Sequence, residues 1–359
     1  MKILKGKIIN HNSSYNGEII FEEKINSINK IDNVNFDNYI IPGFVDLHCH
    51  GGGGHDTMSG LSDIENMSKY HLKNGTTTIL PTTLTATFDD TIKALKGLNK
   101  YIKKNKTNVI GVHLEGPFIN SNKLGAQPPF TQLPDIKFIN NIEKEALIKT
   151  ITLAPELKGS ENFIKLLLKK KIQVQIGHSL ADYKCCKKIM HNNKIGFTHL
   201  YNAMSGNDNR NPGVLTAALR DAEYAEIICD LFHVNEENIH IAYKCIPKLY
   251  AISDSISATG MPDGKYSFAK LKINKKGKQA FIKKNVLAGS VINMHDTFKN
   301  LVKINFSLNQ AVEMTSFNAC QYLKEKFLGK IEKGCFSNLL VLDKKLNLKE
   351  VYFNGKLIK

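Results

Sequence analysis

Along the middle of the chain, short runs rich in apolar and β-branched residues alternate with segments whose apolar positions recur every three to four residues. These are the periods of strand and helix. FVDLHCH (44–50) is followed by LSDIENMSKYHLKNG, TTTILPT (76–82) by FDDTIKALKGLNKYIKK, and NVIGVHLEG (108–116), across a long loop, by KEALIKT. ITLAPE (151–156) precedes SENFIKLLLKK, and KIQVQIGHS (171–179) precedes DYKCCKKIMHNN. IGFTHLYNA (195–203) leads through a Gly/Asn loop to GVLTAALRD, and AEIICDLFHV (225–234) precedes ENIHIAYKCI. LYAISDS (249–255) is the eighth strand, and its return helix is delayed to VINMHDTFKNLVK or SLNQAVEMTSFNACQYLK. Eight strand-then-helix units predict an α/β fold, a (β/α)8 TIM-type barrel. A doubly wound sheet is the alternative, but the glycine-rich dinucleotide loop is absent after the first strand.

The two ends of the chain read differently. MKILKGKII, EIIFEEKINSI and NYI are short strand candidates separated by the turns HNSSYNG and KIDNVNFD. SNLLVLDKKLNLKEVYFNGKLIK, with hairpin signals at DKK and NG, is of the same kind. Neither piece closes a core alone, so the ends are expected to form one small β-sandwich domain. The expected boundaries are 1–42 and 331–359 for that domain and 43–330 for the barrel. Residues 256–288 interrupt the repeat as a hairpin excursion, expected to cover the barrel mouth in part.

Composition narrows the function classes. At 359 residues the chain buries a large core, and no apolar run of about 18 residues suggests a membrane span. The start alternates like an edge strand and lacks the apolar core of a signal peptide. Seven irregularly spaced cysteines read as reduced thiols, which points to the cytoplasm. The net charge of +16 is nearly all lysine; the arginines are Arg210 and Arg220. KKNK (103–106), KLLLKKK (165–171) and KINKKGK (272–278) are scattered and read as solvated faces, not as a nucleic-acid surface.

The chemistry gathers at strand ends, which in a barrel face one mouth. His48 and His50, two apart on a strand, point to one side, and glycines 51–54 let backbone approach whatever they hold. Glu115, His178, His199 and Asp254 end the third, fifth, sixth and eighth strands. Imidazoles and a carboxylate suit zinc or another first-row divalent ion. Glu115, His178 and His199 form one candidate ligand set; His48 and His50 form a second, or a weakly filled subsite. Asp254 is expected to act as general base, with a ligand or structural role as the alternative. His113 reads as packing behind Glu115. His55, His71, His191, His240 and His295 read as structural, and Asp56 and Asp230 as rim residues. Gly289 and Ser290 form either a tight approach beside the mouth or a plain turn.

PGFVDLHCHGGGG (42–54), HLEGPFIN (113–120), GHS (177–179), THLYNAM (198–204), NRNPG (209–213), CDLFHV (229–234), SDS (253–255) and LAGS (287–290) together resemble the amidohydrolase superfamily. More narrowly, they resemble the N-acetylglucosamine-6-phosphate deacetylase family. The resemblance runs over nearly the whole chain in order, and THLYNAM with HLEGPF is its most specific part. It implies hydrolysis of the acetamide of N-acetylglucosamine 6-phosphate to glucosamine 6-phosphate and acetate. It implies Glu115, His178 and His199 as principal ligands of a divalent metal, zinc or iron among others. His48 and His50 fall in a pair whose occupancy varies, so one or two ions per subunit are open. It implies Asp254 as the catalytic acid-base, His233 as a contact to sugar phosphate or hydroxyls, and Asn202 and Ala203 as polar contacts to phosphate. Gln127 matches a position that bonds a sugar hydroxyl or the acetamide. Arg210 matches an arginine that reaches the neighbouring active site in a homodimer, although NRNPG departs from the common REPG at Asn211. The rival readings are another amidohydrolase acting on a cyclic amide or aminated base, and a sugar-phosphate-binding regulator.

Overall fold

In the computed structural model, which describes residues 1–104, 107–268, 271–283 and 286–359, both chain ends meet in one sheet. The KKNK run and the 256–288 excursion extend in part beyond the described residues. The sheet has seven strands, in the order 356–357, 348–353, 339–343, 38–42, 2–9, 14–21, 25–30. Asn38–Pro42 joins the two ends: it pairs in parallel with Lys2–Ile9 and antiparallel with Leu339–Asp343. The expected sandwich is thus one sheet joined edge to edge, because the free edge of each end is used to pair with the other. Its buried face holds Ile8, Ile19, Phe21, Ile25, Ile40, Leu339 and Val341.

Between the ends, parallel strands follow one another round the molecule. Phe44–Cys49 pairs with Thr76–Pro81, and bridges from Ile79 to Val109 and from Thr82 to His113 lead to the third strand, Val112–Glu115. Ile148–Leu153, Gln173–Ile176 and Gly196–Phe197 continue the sheet. The Leu200 amide donates to the Glu226 carbonyl at 2.8 Å, and Tyr224–Ile228 pairs with Lys248–Ile252. From the eighth strand, the Asp254 amide donates to the His48 carbonyl at 2.9 Å, and Cys49 bridges to Ser255. The last strand therefore reaches the first.

Helices connect these strands as their periodicity predicts. In Phe88–Ile102, the Thr87 side chain caps the first turn by accepting from the Asp90 amide, and Thr91, Ala94, Leu95, Leu98 and Tyr101 are buried on one face. Each full burial of such a leucine stabilises by roughly 2 kcal/mol. Both candidates for the eighth return segment are helical. Met294–Lys303 follows directly, opened by an Asn293–Asp296 capping box, and the later segment is split by a wide turn at Glu313–Phe317. The excursion forms a four-stranded antiparallel sheet packed through Ile273 and Ala280 against Leu84, Ile256 and Ala258. Among the described residues no helix is long and apolar enough to cross a membrane.

Behind the first strand lies His71, fully buried, with Nε2 2.9 Å from the Gly51 carbonyl. Burial lowers its pKa to about 4, against the opposing pull of the Gly51 carbonyl. The unfolded imidazole therefore takes up a proton, as pH falls from about 6.5, that the folded one refuses until about pH 4. This contribution to stability is full above about 6.5 and lost as pH falls through that window, on the order of 3 kcal/mol. Denaturant midpoints against pH should fall more steeply for the wild type than for His71→Gln; parallel curves would contradict this.

Candidate functional site

The carboxylate of Glu115 is the centre of the strand-end cluster. Its Oε1 lies 3.1 Å from His178 Nε2, 3.1 Å from His199 Nε2 and 3.5 Å from His48 Nε2. Its Oε2 lies 3.2 Å from His50 Nε2 and accepts a close hydrogen bond from the Gln127 amide. Asp254 Oδ1 lies 3.3 Å from His50 Nε2 and 3.5 Å from His48 Nε2. All six strand-end residues expected from sequence thus meet, and all are buried.

Backbone geometry at this rim is unusual. His178, His199 and Asp254 have φ of 49°, 28° and 47°, a left-handed region that non-glycine residues seldom enter. The neighbouring chain holds Asp254 there. Its amide donates to His48, its carbonyl accepts from Ser290, and a Cβ on Gly289 would sit 2.8 Å from that carbonyl. Gly289 is therefore a tight approach, resolving the alternative left by the sequence.

The charges offset one another. Burial pushes the Glu115 carboxyl up, but His48 and His178 outweigh it and hold the group well below its usual range. Burial acts likewise on Asp254, and His50 and His48 bring it below an ordinary aspartate. Burial pulls His48 down, but Glu115 and Glu226 outweigh it, so its pKa stands well above the usual value. His50 is raised to about 9 because Asp254 and Glu115 overcome its burial.

His50, Glu115, His178, His199 and Asp254 floor a cavity of about 330 Å³, also lined by Gly125, Gln127, Asn202, Ala203, Phe232, His233 and Leu287. The excursion thus contributes part of the wall. His233 Nδ1 is 2.7 Å from Asp230 Oδ2, and although burial opposes it, this bond raises the imidazole pKa. Asp230, read as a rim residue, orients His233. Gln127 accepts from the Thr85 amide at 2.7 Å and donates to Glu115, so both ends of its side-chain amide are engaged within the chain. Arg210 is exposed and does not line the cavity.

Sequence reading missed the layer beneath. Glu226, 0 % exposed, accepts from His48 Nδ1 at 2.9 Å and from the His199 amide at 3.2 Å. Gln175 donates to Glu226 at 2.9 Å and to the Tyr250 hydroxyl at 2.6 Å. His113 bonds the Leu47 carbonyl and Thr152, as befits the packing role expected of it. The available signal was a glutamate inside an otherwise apolar strand, YAEII.

The donors fit a divalent cation. His178 Nδ1 donates to the Lys123 carbonyl at 2.7 Å, which fixes the ring with Nε2 toward the cavity. Glu115, His178 and His199 bring their ligand atoms within 4.8 Å of one another, and so do His48, His50 and Asp254. Imidazoles and carboxylates at the ends of successive parallel strands define a hydrolase of the metal-assisted class. The chain belongs to the amidohydrolase family, whose model matches residues 39–358. N-acetylglucosamine-6-phosphate deacetylase of Lysinibacillus sphaericus is 32% identical over 329 residues, covering 89% of this chain and 85% of the relative. The crystal structure of N-acetylglucosamine-6-phosphate deacetylase from Thermotoga maritima superposes with a TM-score of 0.94 at 30% identity, covering 100% of this chain and 99% of that one. A variant of the Mycobacterium smegmatis deacetylase, solved in complex with N-acetyl-D-glucosamine-6-phosphate, has a TM-score of 0.92 at 25% identity, with 99% and 98% covered.

Proposed function

We propose that the chain hydrolyses the acetamide of N-acetyl-D-glucosamine 6-phosphate, giving D-glucosamine 6-phosphate and acetate. The observation that carries this reading is the meeting of Asp254 with Glu115, His178 and His199 in one cavity. The strand pairings support a closed (β/α)8 barrel over 43–330, with 1–42 and 331–359 as the small β domain. Seven free cysteines support a reducing, cytoplasmic setting.

Glu115, His178 and His199 would hold a divalent cation, with zinc or iron as first-row choices, and His48 and His50 would contribute to a second. Bound there, a cation polarises the acyl oxygen and lowers the pKa of water. Asp254 takes the proton that water gives up as its oxygen bonds the acyl carbon. It then delivers that proton to the sugar nitrogen as the carbon–nitrogen bond breaks. His233, oriented by Asp230, meets the sugar phosphate or hydroxyls, and Asn202 and Ala203 offer polar contacts beside it. Gln127 orients Glu115, because both of its amide groups are engaged.

No lysine or arginine lines the cavity among the described residues. Arg210 is assigned to the phosphate in the partner's mouth of a homodimer, where its rigid fork matches phosphate oxygens. Arg210→Ala should raise KM about 10–100-fold with kcat little changed, as loss of a charge-assisted pair predicts, and Arg210→Lys should not restore it. An unchanged KM would remove this contact. The reading as a whole is tested by acetate release from purified, metal-loaded protein. N-acetylglucosamine 6-phosphate should be cleaved and the unphosphorylated sugar should not; equal rates on both would overturn it.

A further inference from the structure

Beyond the seventh strand the chain is folded back at the cavity by one carboxylate. Asp230, 4 % exposed, accepts through Oδ1 from the Phe232 amide at 2.9 Å and from the His233 amide at 2.8 Å, while Oδ2 holds His233 Nδ1. Leu231, inside this turn, has a φ of 66°, a region that a bulky side chain seldom enters. Its side chain packs against the main core. The turn therefore sends Leu231 inward and presents the next two side chains, Phe232 and His233, to the cavity. Strain of this kind is kept where function depends on the geometry. The orientation of His233 accounts for only one of the two.

Phe232 is 45 % exposed. A single exposed apolar residue is ordinary on a protein surface, but this one lines a cavity and does not stand alone. Ala126, Val286 and Leu287 line it too, and Val286 is 40 % exposed. The cavity thus has a floor of imidazoles and carboxylates beneath a wall of carbon. Gln127, beside that wall, has both of its amide groups engaged. An apolar lining with a few convergent polar groups is the mark of a small-molecule site. The ligand that fits is polar at both ends and presents hydrogens on carbon between them. A pyranose does this, with hydroxyls around its rim and C–H groups on its face. The face of a phenyl ring is the negative part of its quadrupole and favours such hydrogens.

We propose that Phe232 is the specificity-determining residue for the sugar ring. Its face packs against the C–H face of the hexose, while His233 meets the phosphate or hydroxyls and the acetamide reaches Asp254. The inference rests on the hydrolysis proposed above and adds how the chain selects a cyclic sugar over any other phosphorylated acetamide. The acetyl methyl is the other apolar part of the substrate, but its carbonyl must reach the floor, and Phe232 stands beside His233 on the wall. A contact to the ring is the same before and during bond breaking, so it acts on KM and not on kcat.

The test uses the zinc-loaded full chain and two probes without an acetamide, glucose 6-phosphate and glycerol 3-phosphate, with binding followed by calorimetry. The first carries a ring and a phosphate, the second a phosphate without a ring. The wild type should bind glucose 6-phosphate more tightly. Phe232→Ala should weaken that binding about tenfold, the scale of one lost aromatic contact, and leave glycerol 3-phosphate within about twofold. Phe232→Tyr keeps the aromatic face and should match the wild type, and Phe232→Leu should fall between. In Phe232→Ala, KM for N-acetylglucosamine 6-phosphate should rise by the same factor, with kcat changed by less than about threefold. A residue that only props the turn would loosen His233 and weaken both probes alike. Parallel losses, or unchanged binding of glucose 6-phosphate, would overturn the proposal. Should Phe232→Ala fail to fold, wild-type affinity for glucose 6-phosphate in Phe232→Leu overturns it alone. Acetate release is scored separately. Deacetylation by the wild type with KM unchanged in Phe232→Ala defeats this inference and leaves the function standing, whereas a ring preference that depends on Phe232 without deacetylation defeats the function.

Discussion

Asp254→Asn should lower kcat for acetate release by about 10³–10⁴-fold, the upper range of what a positioned acid-base group contributes, while the protein stays folded and metal-loaded. The variant suits the site for a backbone reason. Asp254 has a φ of 47°, and asparagine enters this left-handed region more readily than other non-glycine residues. Its amide and carbonyl bonds to His48 and Ser290 do not involve the side chain and persist. What disappears is the carboxylate proposed to take a proton from water and give it to the amine. Binding of the phosphorylated sugar, followed by calorimetry, should change little, because the phosphate contacts lie elsewhere. A fall in kcat of less than about tenfold would remove Asp254 from proton transfer and leave it as a ligand only.

Glu115→Gln should be as damaging by a different route. Glu115 is the carboxylate that contacts four histidines of the cluster, with His178, His199, His48 and His50 within 3.5 Å. Its replacement takes the negative charge from both subsites. Metal content after dialysis should fall, and acetate release should drop by more than about 100-fold, the loss seen when merely indirect partners of ligands are removed. Chelation of the wild type should reproduce the loss, and zinc should restore it there but not in the variant. Metal also stabilises by mass action, about 4 kcal/mol at a thousandfold excess over Kd. The stripped wild type should therefore melt lower than the loaded one, and Glu115→Gln should show a smaller difference. Full zinc content in the variant would show that Glu115 is not a ligand.

The strand ends were legible because a period of two places His48 and His50 on one side, and because each remaining ligand candidate follows an apolar run. Their partners were not. Glu226 lies 178 positions from His48, and local pattern marks it only as a polar residue in an apolar strand. Gln127 read as a substrate contact because it matches such a position in the family it resembles; that Thr85 and Glu115 engage its amide is decided by a loop folding back. Period-two alternation at the chain ends likewise identified strands but not their order. Asn38–Pro42 joins both ends into one sheet because its two edges are free to pair, which no local pattern records.

By itself, then, the sequence determined which segments are strands and helices, and which residue types stand where successive strands stop. Those are properties of neighbours, governed by periodicity and by the backbone preferences of a few residues. The tertiary structure decided which imidazole nitrogen carries the proton, which carboxylate carries charge, and which side chains are engaged before any substrate arrives. Those depend on burial and on hydrogen bonds between residues far apart in the chain, and they exist only once the eighth strand has returned to the first.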